Sequence, residues 1–189
     1  MRNKIIILGC LDTKGEEYGF IRENITKADC DSLIIDVGVI SPPQIKPDIS
    51  RYEVAKAAGE DLNRLIEEGP TRDRVAPIMT NGAKKIVADL VSRKTVHGII
   101  SCGGTQGTSL ATEVMRALPI GFPKVMVSTL ASGDTFKFVG LRDIIMINSV
   151  ADIMGLNRVT RKILANASAA VCGAAKLELA STEKVPVRV

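Results

Sequence analysis

The chain is 189 residues long and contains no tryptophan, two tyrosines, four phenylalanines and a single histidine. So few rings exclude a platform on which bases could stack. The four cysteines, Cys10, Cys30, Cys102 and Cys172, form no C-x-x-C pair, and His97 is remote from three of them. That arithmetic excludes a zinc site. Charge of one sign is also scarce: 25 Lys+Arg against 21 Asp+Glu leave +4, spread without runs, which argues against a nucleic-acid surface. No apolar run approaches the ~20 residues of a bilayer-spanning helix. Unpaired thiols and no recognisable signal peptide lead us to expect a cytoplasmic protein.

What is present is a regular alternation. Short runs of continuous hydrophobicity, as in strands buried on both faces, fall at 4–10, 32–38, 97–102, 123–128 and 143–148. Amphipathic segments follow most of them. Thr13-x-x-Glu16 and Ser50-x-x-Glu53 have the spacing of capping boxes, Ser149-x-x-Asp152 opens a short helix, and Asn157 caps a longer one to about Leu179. The proline-rich stretch 41–47 should run extended over the surface, and Gly69-Pro70 should stop the helix that begins after Ser50. A further helix carries Val75, Met79, Val87 and Leu90 inward, with a break at Asn81-Gly82. The pattern predicts an α/β fold: an open, mostly parallel, Rossmann-like sheet of about five strands with helices on both faces.

Ligands of such sheets gather at the carboxyl ends of the strands. That edge should hold Asp12, Thr13 and Lys14 after the first strand, Asp36 and Gly38 after the second, and Gly103, Gly104, Thr105, Gln106, Gly107 and Thr108 after the third. Ser132 and Gly133 follow the fourth. Positive φ at Gly103 and Gly104 would turn successive N–H groups into an anion nest. Thr105 would cap a helix whose N-terminus favours phosphate, with Lys14 adding a point charge. Asp12 could hold Mg²⁺ through water or bind a ribose hydroxyl. The loop is neither G-x-x-x-x-G-K-[ST] nor G-x-G-x-x-G, and it follows the third strand, which disfavours a nicotinamide cofactor. Cys10 and Cys102 read as core fillers rather than nucleophiles. Asp134 and Asp143 are acid–base candidates without visible partners.

Five blocks, CLDTKGEE (10–17), CGGTQGT (102–108), LPIGFPKVMVSTLASGDT (118–135), VGLRDIIMINSVADIMGLNR (139–158) and ILANASAAVCGA (163–174), together resemble a bacterial and fungal family of two-domain proteins related to the tomato tobamovirus replication inhibitors. The resemblance implies an ATP-binding α/β domain that takes part in dimerisation, followed by a barrel-like second domain. It places ATP, accompanied by Mg²⁺, on Asp12, Thr13, Lys14, the Gly103–Thr108 loop, Ser132 and Gly133. Antiviral action belongs to particular plant members and does not carry over. The expected layout is one nucleotide-binding domain over 1–180 and a tail or linker start over 181–189, with the second domain absent. The alternative is half of an enzyme site for a small phosphorylated or acidic metabolite, completed by that domain. The expected partners are a nucleotide and a second copy of the chain, with no nucleic acid and no membrane. The small-residue helix after Asn157 either packs on its own sheet or forms the dimer seam.

Overall fold

The computed structural model describes residues 2–67, 69 and 72–177. Five strands, β1 (Lys4–Gly9), β2 (Asp31–Asp36), β3 (Gly98–Gly103), β4 (Lys124–Ser128) and β5 (Ile145–Asn148), form one sheet in the order β2-β1-β3-β4-β5. Every pairing is parallel, as the continuous apolar runs require. The register aligns Gly9 with Asp36, Gly103 with Ser128, and Ser128 with Asn148, so these residues share one carboxyl edge. The five-stranded α/β expectation holds.

Among the described residues, seven helices cover both faces. They are α1 (Leu11–Lys27), α2 (Arg51–Ala58), α3 (Leu62–Glu67), α4 (Arg72–Ser92), α5 (Thr105–Arg116), α6 (Phe136–Val139) and α7 (Arg158–Lys176). Alternate strand residues serve opposite layers. Ile6, Leu8, Ile35, Ile99 and Met126 pack with Val54, Val87 and Val114 of α2, α4 and α5. Ile5, Ile7, Ile34, Ile100 and Val125 pack with Tyr18, Ile21, Leu164 and Val171 of α1 and α7. No helix among the described residues is long and apolar enough to cross a membrane.

Several local expectations need correction. Helix α1 starts at Leu11 with Cys10 as its N-cap, not at a Thr13 box, because the Asp36 carboxylate accepts the Leu11 N–H at 3.1 Å. The Ser50–Glu53 box forms as expected, but its helix ends at Gly59 (φ 95°), and α3 is a separate turn of helix ending at Glu67, ahead of Gly69. No helix opens at Ser149, whose hydroxyl instead donates to the Ala151 carbonyl at 2.6 Å. The short α6 was not anticipated. Asn157 does cap α7 through a reciprocal box with Thr160. Pro70, Leu179 and the tail 181–189, with the boundary expected at 180, lie outside the described residues.

Helix α4 runs unbroken through Asn81-Gly82, and its glycine has a packing cause. A Cβ on Gly82 would come within 1.9 Å of the Val54 carbonyl oxygen on α2, so only a bare backbone lets the two helices meet. Gly82→Ala sets two effects against each other. Helix propensity favours alanine by about 1 kcal/mol, while forcing a methyl group into packed backbone costs about 1–3 kcal/mol or more. Packing should win, and denaturant unfolding should show a net loss of stability. A gain would mean that α2 and α4 do not touch at Gly82.

Candidate functional site

The expected site residues divide into two groups that behave differently. The first surrounds the end of β1. Asp36 is fully buried, and its Oδ1 accepts the N–H groups of Leu11 at 3.1 Å and Gly38 at 2.8 Å. Asp12, also buried, accepts the Ile40 N–H at 2.8 Å and the Ser41 N–H at 3.4 Å through Oδ2. Gln44 reaches back from the proline-rich excursion, accepting the Gly15 N–H at 3.1 Å and donating to the Asp12 carbonyl at 3.0 Å. Lys14, at a kink in α1, donates its ammonium to the Ile153 carbonyl. At the start of α1 the protein's own side chains thus take the Leu11 and Gly15 N–H groups, through Asp36 and Gln44. In this structure Asp12 and Lys14 are both engaged by the fold. Gly38 is a packing glycine, since a Cβ there would lie 2.5 Å from Asp12 Oδ1. Thr13 is exposed.

The second group gathers at the ends of β3, β4 and β5. The glycine loop departs from the nest geometry expected of it. Gly104 has φ −81° and ψ −158°, and neither Gly103 nor Gly104 takes positive φ. Gly104, not Thr105, is the N-cap of α5, and as a glycine it supplies no side-chain cap. Thr105 and Gln106 are exposed on its first turn and Gly107 is half-buried. Thr108 points inward: it is fully buried, and its hydroxyl pairs with that of Ser128 at 2.7 Å, so it braces β4 and does not face solvent.

Beside this uncapped turn lies a cleft of about 310 Å³ lined by Thr129, Ser132, Asn148, Ser149, Val150, Ala151 and Asp152. A Cβ on Gly104 would sit 3.7 Å from Thr129 Oγ1, which joins the α5 turn to the cleft wall. Gly133 is exposed next to Ser132. Thr129, Asn148 and Ser149 stand at the ends of β4 and β5 and are not among the residues expected for the site. The strand register was the signal that could have selected them. Asp152 had been read as a helix-cap partner.

The candidate chemical groups resolve plainly. Burial pushes the Cys102 thiol up to about 12, so it does not act as a nucleophile near neutral pH. Asp143 pairs with the buried Lys124 at 2.9 Å, and Asp134 accepts the Phe136 N–H at 2.9 Å ahead of α6. His97 accepts the Lys4 N–H at 3.0 Å at the opposite, amino edge of the sheet. Among the described residues, no three His, Cys, Asp or Glu side chains gather where they could share a metal ion.

Strand order 2-1-3-4-5, parallel pairing and a polar cleft at the carboxyl edge define a doubly wound α/β domain of flavodoxin-like topology. Residues 3–180 match the N-terminal domain of the uncharacterised protein family UPF0261. A UPF0261 protein of Clostridium tetani is 48% identical over 176 residues, which cover 93% of this chain and 43% of the relative. One from Rhizobium meliloti is 39% identical over 183 residues, covering 97% of this chain and 45% of the relative. The tomato ToMV susceptible protein tm-1(GCR26) is 30% identical over 189 residues, covering 90% of this chain and 24% of that protein. The chain belongs to the UPF0261 family and spans less than half the length of these relatives.

The buried carboxylates make a pH prediction. Burial raises the pKa of Asp36, two backbone N–H groups oppose that shift, the nearby Asp12 charge adds to it, and Arg51 counters it. A carboxyl that holds its proton more tightly when folded stabilises the fold at low pH. That contribution fades as pH rises through the folded-state pKa. Asp36→Asn keeps an acceptor for the two N–H groups and cannot ionise. Its unfolding free energy, relative to the parent, should therefore increase between pH 4 and pH 7. A constant or falling difference, measured by urea titration across that range, would contradict the raised value.

Proposed function

We propose that the domain binds the phosphates of a nucleotide, ATP on the family resemblance, between the first turn of α5 and the cleft behind Thr129. One observation carries this reading. The N-cap of α5 is a glycine with no side chain to cap the helix, and this end opens beside a cleft lined by Thr129, Ser132 and Asn148. Helix N-terminal N–H groups and the helix dipole favour an anion there.

Its chemistry differs from the arrangement first expected. Phosphate oxygens would meet backbone N–H groups of Thr105 and Gly107, with hydroxyl donors from the β4 loop, and no lysine is needed. Because Asp12 is buried on the Ile40 and Ser41 amides, any Mg²⁺ would travel with the phosphates, and Asp152 is the carboxylate lining the cleft. The alternative, a half-site for a phosphorylated or acidic metabolite, would draw on the carboxylates of this edge, of which Asp12 and Asp36 hold amides and Asp134 holds the start of α6. The homodimer implied by the resemblance would use the outer face of α7, where Ala169, Ala170 and Gly173 are exposed, since its inner face packs on its own sheet.

Titration calorimetry with ATP, with and without Mg²⁺, tests the reading, and Gly104→Val sharpens it. The extended backbone at Gly104 accepts a side chain, and a Cβ would meet only an ordinary contact at 3.7 Å. The variant should therefore fold, yet its methyl groups would stand where phosphate approaches. Affinity should fall at least tenfold, a loss of about 1.4 kcal/mol. No binding by the parent at millimolar ATP, or equal binding by a folded Gly104→Val, would refute the proposal.

A further inference from the structure

The two edges of the sheet are finished differently. Along β2, the chain's own excursion returns: Ile49 bridges Ile35, the Asp36 N–H reaches the Ile49 carbonyl at 3.0 Å, and the Ile34 N–H reaches the Asp48 carboxylate at 2.8 Å. At the other end, β5 pairs with β4 and with no other described strand. Its sequence, IMIN, carries none of the charges, prolines or bulges that usually guard a bare edge, and only its four-residue length limits pairing with a like strand.

Exposed apolar side chains concentrate in the same segment. Of the ten large hydrophobic residues exposed among the described residues, Phe136, Leu141, Ile145, Val150 and Met154 fall between 136 and 154. Single exposed hydrophobic residues are ordinary, but five in and around a bare edge strand mark a contact surface. Leu141 is 87% exposed and Met154 80%. Val150 is held at φ 63°, a region β-branched residues rarely adopt, with its N–H on Asn148 Oδ1 at 3.1 Å and its side chain 74% exposed.

We propose that this β5 edge is the docking surface for the C-terminal half of the UPF0261 chain. The matched region is the family's N-terminal domain, and it covers only 43–45% of the bacterial relatives, so a larger part of each lies beyond it. A second copy of this domain fits the edge less well. Four residues of strand give too short a ladder for two copies to extend one sheet, whereas a separate domain can also cover Phe136, Leu141 and Met154. Val150 both lines the cleft and belongs to the apolar segment, so a domain seated here would wall the cleft, the usual place for a ligand between two domains. The docking stands independently of which ligand the cleft takes.

The test co-expresses this chain with a tagged C-terminal half of the Clostridium tetani relative and measures association by co-purification and light scattering. A one-to-one complex is expected. Leu141→Glu and Ile145→Lys should each weaken it by about tenfold or more, as charges buried against an apolar surface do. Ala170→Glu, on the outer face of α7, should leave it intact. Leu141 is so exposed that its variant reports on docking even if the strand variant folds poorly. Absence of a complex, or a complex that survives both β5-edge variants, would overturn the proposal. A dimer of this chain alone that both variants dissociate would assign the edge to a second copy and overturn it equally.

Discussion

The phenol of Tyr18 holds this domain together at the point where its topology is weakest. In a 2-1-3-4-5 sheet the chain winds in opposite directions from β1 and β3, and a crevice opens between their carboxyl ends. Tyr18 fills it from within. Its ring lies over Gly9, where a Cβ would approach Cζ to 1.8 Å, and its hydroxyl donates to the Cys102 carbonyl at 2.6 Å. One side chain of α1 therefore ties β1 to β3, and Gly9 is glycine because the ring needs the space. Burial raises the Tyr18 pKa well above its ordinary value, so the hydroxyl stays a neutral donor.

Closing the crevice has a consequence for the polar groups around it. The amino end of α1, where this topology would seat a ligand, is occupied by Asp36 and Asp12, and Gln44 lies across it. Those carboxylates have an energetic cost. Asp12 Oδ1 and Asp36 Oδ2 are buried without hydrogen-bond partners, and the two charges repel. Hydrogen bonds from the amides of Leu11, Gly38, Ile40 and Ser41 offset part of it. With the start of α1 satisfied internally, α5, one strand further along the sheet, begins at a bare glycine beside an open cleft.

Much of this architecture was legible in the sequence, and the failures share a cause. The strands were readable because each is a continuous apolar run buried on both faces. The caps at Ser50 and Asn157 were readable because their partners lie three residues away. The Thr13 box failed because a carboxylate from 25 residues downstream outcompetes it for the start of α1. Gly82 looked like a break because nothing in its own helix discloses the Val54 carbonyl against it. The glycine loop was placed correctly after β3 and before α5, but its nest was inferred from what glycine permits, and the backbone there is extended. Thr108 shows the same limit: a hydroxyl near a helix start can face a ligand or a neighbouring strand, and only packing decides. Local chemistry was visible; competition from distant residues was not.

That distinction also accounts for the asymmetry of the sheet. The excursion after β2 performs three tasks at once: Asp48 and Ile49 cover the strand edge, Ile40 and Ser41 hold Asp12, and Gln44 caps the kink of α1. The connection after β5 has fewer residues in which to do anything similar. It is pulled inward by the Lys14 ammonium on the Ile153 carbonyl and by Glu17 accepting the Gly155 N–H at 2.8 Å, then enters α7 directly. These inward bonds leave Val150 and Met154 exposed on either side of the buried Ile153. The bonds that anchor this connection to α1 therefore also keep the β5 edge bare and the neighbouring cleft open.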